Sequence, residues 1–173
     1  NLIKIAKKNS KNINYFCLDM NELKNGFKSK IKFDYIITKR SVQNLTSWKN
    51  QRKFLNQLYF FSNQKTKILL MESSNDGLKK INEVRKKLKL NKITKPWHNL
   101  YLYDSKIKNT KFKGLKLHSI KELFSTYYFT SRVLNAAITK KTNYNDKLNL
   151  AGWQLSQDLI KGFSQLRLYK FVA

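Results

Sequence analysis

Apolar residues recur along this chain with two periods, and the two alternate. Residues 1–9 set Leu2, Ile3, Ile5 and Ala6 among lysines, which predicts the tail of an amphipathic helix ended near Asn9 and Ser10. Residues 13–18 are mostly apolar and predict a strand, closed by Asp19, with a short helical turn from Met20 and a turn at Asn25-Gly26. Residues 33–38 hold the run Tyr35-Ile36-Ile37, β-branched or aromatic throughout. That composition predicts a strand buried on both faces, as in a parallel sheet. Ser47 can cap a helix over 48–61, where Leu55, Leu58 and Tyr59 keep helical spacing. Residues 67–71 predict another buried strand, followed by Glu72, Ser73 and Ser74. A helix over 76–89 carries Leu78, Ile81, Val84 and Leu88 on one face. Helices and strands taking turns in this way imply parallel strands joined by right-handed crossovers.

The second half is less regular. Residues 91–104 form an irregular segment with Pro96, Trp97, His98, Asn99, Tyr101 and Tyr103 close together. Residues 113–120 alternate in part and predict a strand. Residues 120–140 predict a helix or broken helix containing Tyr127, Tyr128 and Arg132. A helix over 146–161 would stop at Gly162, and residues 165–172 alternate well enough for a final strand. Neither a repeat nor a linker interrupts the pattern, so residues 1–173 are read as one domain.

Composition narrows the class. Hydrophobic content of 41% and aromatic content of 13% describe a globular chain. One proline and five glycines are too few for an all-β protein with many turns. The single cysteine, Cys17, cannot close an internal disulfide, which points to a reducing, cytoplasmic setting. No apolar run reaches the roughly 18 residues of a membrane span. The formal charge of +26 would ordinarily point to a polyanionic partner. The basic residues, however, are nearly all lysine and are spread along the whole chain. Their company of Asn and Ile is what an AT-rich genome produces. A solvated basic surface is therefore the preferred reading, and nucleic acid is kept as the less favoured partner.

Candidate chemistry is positional. The two histidines, His98 and His118, give no metal-ligand spacing, and no metal site is expected. Asp19, the Thr38-Lys39-Arg40 run and Glu72-Ser73 each follow a predicted parallel strand. In open α/β sheets, ligands collect beyond the carboxyl ends of the strands. Residues 38–44 are thus either the floor of a site or an ordinary strand-to-helix loop. Asp19 can equally cap the turn behind it, and Arg40 can be a surface charge. Trp97, Asn99 and Tyr101 can form an acceptor-binding wall or simply pack a loop. His98 is the best candidate for a general base, because its side chain titrates near neutrality.

Several of these stretches occur in a familiar order. Cys17-Leu18-Asp19, then residues 33–45, the helix from Trp48, then Leu69-Leu70-Met71-Glu72-Ser73-Ser74-Asn75-Asp76-Gly77-Leu78, and Pro96-Trp97-His98-Asn99 together resemble class I S-adenosylmethionine-dependent methyltransferases. The likeness runs through most of the chain. It implies an α/β, Rossmann-like sheet of order 3-2-1-4-5-7-6, mostly parallel with an antiparallel final strand. It also implies S-adenosyl-L-methionine as cofactor and a small-molecule or glycan-type acceptor. In that reading Asp19 bonds the adenine amino group and Met20 lies on the adenine face. Thr38, Lys39 and Arg40 approach the methionine portion, while Glu72, Trp97, Asn99 and Tyr101 meet the acceptor. The family often has an acid where Lys39 stands. Its glycine-rich turn and the acid after its second strand have no counterpart here, so the domain is expected to be incomplete at its N-terminus and completed by residues outside this chain. The alternative function is a non-catalytic methyltransferase-like or basic nucleic-acid-binding module.

Overall fold

The computed structural model describes residues 2–10, 12–27, 31–139, 143–155 and 159–173. Four strands form one sheet: β1 (Tyr35–Lys39), β2 (Lys67–Ser73), β3 (Lys116–Leu123) and β4 (Leu166–Val172). Their order is β1-β2-β4-β3, with β1 parallel to β2 and β4 antiparallel to both its neighbours. Three strands therefore point one way and the last strand inserts between them reversed. This is the 4-5-7-6 half of the expected order, and the antiparallel final strand is present. Two of the three pairings are nevertheless antiparallel, because β4 takes part in both.

The helices are α1 (Leu2–Asn9), α2 (Leu23–Gly26), α3 (Trp48–Leu58), α4 (Asn75–Lys87), α5 (Asp104–Asn109), α6 (Ser125–Phe129), α7 (Asn135–Ile138) and α8 (Lys147–Gln154). Thr130–Leu134 forms a π-helical turn joining α6 to α7. Helix α3 is capped as its sequence predicts: Ser47 Oγ accepts from Asn50 N at 3.1 Å. Ser74 Oγ does the same for α4, accepting from Gly77 N at 3.2 Å. The core gathers Phe54, Leu55 and Leu58 of α3 against Ile68 and Leu70 of β2 and Tyr169 and Phe171 of β4, with Leu102, Ile107 and Phe112 closing it.

Several expectations are corrected. The strand expected at residues 13–18 is not formed. The segment has no ladder partners, and Ile13 and Phe16 stay 56% and 59% exposed. An extended run with no neighbouring strand has nothing to bond. Strand β1 is not buried on both faces, since Tyr35 and Ile37 are 56% and 65% exposed. Among the described residues β1 is an edge strand. The bonds Arg40 N to Met71 O and Lys67 N to Asp34 O turn the even-numbered residues toward β2. Tyr35, Ile37 and Lys39 thus turn their backbone groups to the open edge. Strand β3 runs to Leu123, past the expected end at 120, because pairing with β4 holds it there. Helix α8 ends at Gln154 with Leu155 as its cap. Residues 156–158 of the expected longer helix lie outside the described residues.

One close approach ties α4 to the sheet. A Cβ built on Gly77 would lie 1.9 Å from the Ser164 carbonyl oxygen, a backbone atom just ahead of β4. Only glycine lets the first turn of α4 sit there. Gly77→Ala is expected to destabilise the fold by about 1–3 kcal/mol, as overpacking against fixed backbone does, read as a lower urea midpoint with an unchanged slope.

Candidate functional site

The strands β1, β2 and β3 end on the same edge of the sheet where β4 begins, so their trailing loops meet. Glu72, the penultimate residue of β2, is fully buried. Its Oε1 accepts from Thr38 Oγ1 at 2.7 Å, Ser41 N at 3.0 Å and Val42 N at 3.2 Å, and its Oε2 from Gln43 N at 3.4 Å. One carboxyl group thus holds the whole turn after β1. Burial pushes it above its ordinary value of 4.5, and the bonds from Thr38 and from the Val42, Ser41 and Gln43 backbones oppose that rise. The turn itself is tight: Arg40 sits at φ +54 and donates from its N–H to the Met71 carbonyl at 2.8 Å. A left-handed arginine is strained, and such strain persists only where the surroundings over-determine it.

A second buried network closes the neighbouring stretch of the same edge. Arg167, opposite both Glu72 and Glu122 in the strand register, ion-pairs with Glu122 at 3.1 Å and Asp104 at 3.3 Å. Its Nη1 donates to the Ser164 carbonyl at 2.7 Å. Asp104 Oδ1 accepts from Tyr169 Oη at 2.7 Å and Ser74 Oγ at 3.1 Å. Burial first, then the charge of Asp104, pushes the Tyr169 phenol far up. Every member has partners, so this network joins α5, β2, β3 and β4 as scaffold. Sequence reasoning missed it, since its bonded partners lie up to 65 residues apart; the arginine in an alternating strand was the one available signal.

Residues 99–102 cross the edge between these two anchors. Leu100 N donates to the Gln43 carbonyl at 2.7 Å, Leu102 N to Ser73 at 3.0 Å, and Asn75 N back to Leu102 at 2.8 Å. The Gln51 amide donates to both the Val42 and Leu100 carbonyls, locking crossing segment to turn. Among the described residues, buried polar atoms without partners are Gln43 Oε1 and Asn99 Oδ1 here, Arg132 Nε on the π-helical turn, and Asn21 Oδ1 and Ser119 Oγ elsewhere. Buried polar groups are ordinarily bonded, and leaving one unpaired costs about 1–3 kcal/mol. Gln43 and Asn99 are only 3% and 9% exposed. The Tyr128 phenol is pushed up by burial, against the charges of Arg132 and Arg40, which both reach it. Arg40, Gln43, Asn99 and Tyr101 lie along this edge.

The structure sorts the expected residues. Thr38, Lys39, Arg40, Asn99 and Tyr101 come together, though the Thr38 hydroxyl donates to Glu72 and the Tyr101 hydroxyl accepts from Gln165 at 3.1 Å. Glu72, expected to meet the acceptor, is corrected: it is buried beneath the turn and positions it. Trp97 and His98 stand outside, their rings edge to face at 5.4 Å, with Trp97 94% exposed. Asp19 and Met20 are elsewhere. Asp19 Oδ1 accepts from Asn21 N at 2.7 Å, capping the turn, and the Gln57 amide donates to the Met20 carbonyl at 3.2 Å. Gln57 lies in the last turn of α3, which has run back from the carboxyl edge toward the start of β2. Asp19 is thus held at the opposite end of the sheet from Arg40.

Among the described residues no group of His, Cys, Asp and Glu could hold a metal ion, and no helix is long and apolar enough to cross a membrane. No protein-family model and no curated protein matches the chain. Among solved structures, PKMT2 from Rickettsia typhi in complex with AdoHcy is similar at 15% identity and a TM-score of 0.47, covering 98% of this chain and 41% of that one. A second structure of PKMT2 from Rickettsia typhi gives 13% and 0.46, covering 99% and 40%. The chain spans less than half the length of those proteins.

Replacing Glu72 tests the clamp. Glu72→Ala orphans one hydroxyl and two or three backbone N–H groups and is expected to cost about 3 kcal/mol or more in urea unfolding. Glu72→Gln keeps Oε1 and hence the three shorter bonds, and should cost little. Because the folded carboxyl titrates above its unfolded value, its contribution is complete below about pH 4.5 and is lost as pH rises through the folded value. The stability of the wild type should therefore fall relative to Glu72→Gln as pH rises above about 4.5, and a constant difference would refute the assignment.

Proposed function

We propose that the carboxyl edge of this sheet is part of an S-adenosyl-L-methionine-dependent methyltransferase site, in a sheet continued by further strands at the open edge of β1. The observation that carries the reading is the strand arrangement: order β1-β2-β4-β3 with β4 reversed between two strands of common direction. That is the arrangement the resemblance implies for the second half of the sheet. Fold alone does not make a function. The edge adds a cationic turn at Lys39 and Arg40, suited to the carboxylate of a methionine portion. It also adds the unpartnered Gln43 and Asn99 side chains, which a bound polar ligand would satisfy.

The roles follow from placement. Thr38, Lys39 and Arg40 with Gln43 face the cofactor, and Glu72 positions them from below. Asn99 and Tyr101, with Tyr128 and Arg132, line the acceptor side. Alignment of donor and nucleophile supplies much of the rate in such a transfer; His98 on the exposed rim is the base nearest to hand. Asp19 and Met20 are left out of the site, since they sit at the other end of the sheet. The open rim at Trp97 and His98 is a feature a carried acceptor group, on a glycan or a chain, fits better than an enclosed small molecule does.

The nucleic-acid reading has less support. The basic, aromatic face of α3 has lysines already seated on its rings: Lys106 over Trp48 at 5.8 Å, and Lys24 and Lys113 over Phe60 at 4.4 and 5.3 Å. Rings covered in this way offer no free platform for stacked bases.

Hydrogen exchange of the protein expressed from its full reading frame, with and without S-adenosylmethionine, tests the proposal. Amides of residues 40–43 and 99–102 should slow on addition, and Arg40→Ala should weaken binding about tenfold, the loss of one charge-assisted bond. Unchanged exchange in both segments would overturn it.

A further inference from the structure

The outer face of α4 forms one wall of a groove of about 900 Å³. Its other wall is the strap of residues 89–95, which folds back along the helix. Lys89, left-handed at φ +55, makes the reversal. Leu90 N bonds the Arg85 carbonyl at 2.9 Å and Lys89 N the Lys86 carbonyl at 3.1 Å, the paired bonds of a Schellman ending. The Asn82 side chain then grips Ile93 from both sides, donating to its carbonyl at 3.0 Å and accepting from its N–H at 2.9 Å. Arg85 Nε adds a bond to the Asn91 carbonyl at 2.8 Å. The groove is thus held open by side chains before anything enters it.

Its chemistry is of two kinds. Leu78, Leu90 and Ile93 supply an apolar floor. Lys79 and Lys86 stand on the helix wall, and Lys89, Lys92 and Lys95 follow at every third residue of the strap. Against these five ammonium groups the groove has one carboxylate, Glu83, which already faces Lys79 at 4.0 Å. No aromatic ring lines it among the described residues, so it has no stacking platform for bases. One end of the groove, at Asn75, lies beside Ser74 and so opens onto the carboxyl edge of the sheet.

We propose that this groove is a docking site for an extended, acidic polypeptide segment whose apolar side chains alternate with its acids. The acids meet the lysine rims and the apolar side chains meet the floor. Helix α4 has 13 residues, about 20 Å, the length of about six residues of extended chain. The inference goes beyond methyl transfer and is read without any cofactor, so its failure and the failure of that reading are separate results.

Fluorescence anisotropy of the chain with three labelled probes tests it: an eight-residue peptide alternating Glu and Leu, one alternating Glu and Ser, and octauridylate. The Glu/Leu peptide should bind about tenfold or more tighter than the Glu/Ser peptide, the difference that burying one or two leucines makes. Lys86→Glu/Lys92→Glu should weaken it about tenfold. Lys49→Glu/Arg52→Glu, the same charge change on α3, should leave it within about twofold. Circular dichroism shows that each variant remains folded. Equal binding of the two peptides, or equal losses in the two double variants, would mean general attraction to a basic surface and would overturn the proposal. So would octauridylate binding more tightly than the Glu/Leu peptide and losing that binding in Lys86→Glu/Lys92→Glu.

Discussion

The candidate site depends on one buried carboxyl group. Glu72 stands at the end of the central parallel strand, where the turn after β1 must reverse the chain within a few residues. A turn that tight leaves backbone N–H groups pointing inward with no carbonyl to meet them. Glu72 Oε1 collects two of them and a hydroxyl. The cost is desolvation of an acid; the return is a loop fixed in one conformation, including a left-handed arginine. Positions on such a loop are preorganised, so a ligand binding there does not have to order them first.

The two networks at this edge have different chemical characters, and that difference separates scaffold from site. The cluster around Arg167 is complete: its charges are mutually paired and its hydroxyls are bonded. A completed network rigidifies the ends of β2, β3 and β4. The stretch beside it, from Gln43 across Asn99 to Arg132, holds polar atoms that are buried and unanswered. Such atoms cost stability in an empty protein. Gln43 and Asn99 bring two of them to the edge where the parallel strands end.

Much of the framework was legible in the chain. The run Tyr35-Ile36-Ile37, the capping serine Ser47, and the alternation after Gln165 each specify a local structure through short-range chemistry, and each forms the element expected. Burial of β1 was misread because composition reports what a strand can tolerate, while exposure depends on what packs against it. The residues 13–18 failed for the same reason: a strand needs a partner, and no pattern within six residues encodes one. Thr38, Lys39 and Arg40 can be singled out because position after a strand is visible in sequence. The clamping position of Glu72 cannot be, because whether a carboxyl group faces solvent or three backbone donors is decided by a turn 30 residues away.

The open edge of β1 connects these observations. Its odd-numbered residues present unpaired backbone groups and two large exposed side chains, Tyr35 and Ile37. Proteins ordinarily blunt or cover such an edge, since it invites another strand. Only Lys39 supplies a charge on it, and neither proline nor bulge interrupts it. An added strand would bond Tyr35, Ile37 and Lys39 and end beside Arg40. Its trailing loop would then face the turn that Glu72 holds. On the proposed reading, covering the edge and walling the cationic turn would be a single structural event: a strand that satisfies the backbone of β1 would also stand next to Arg40.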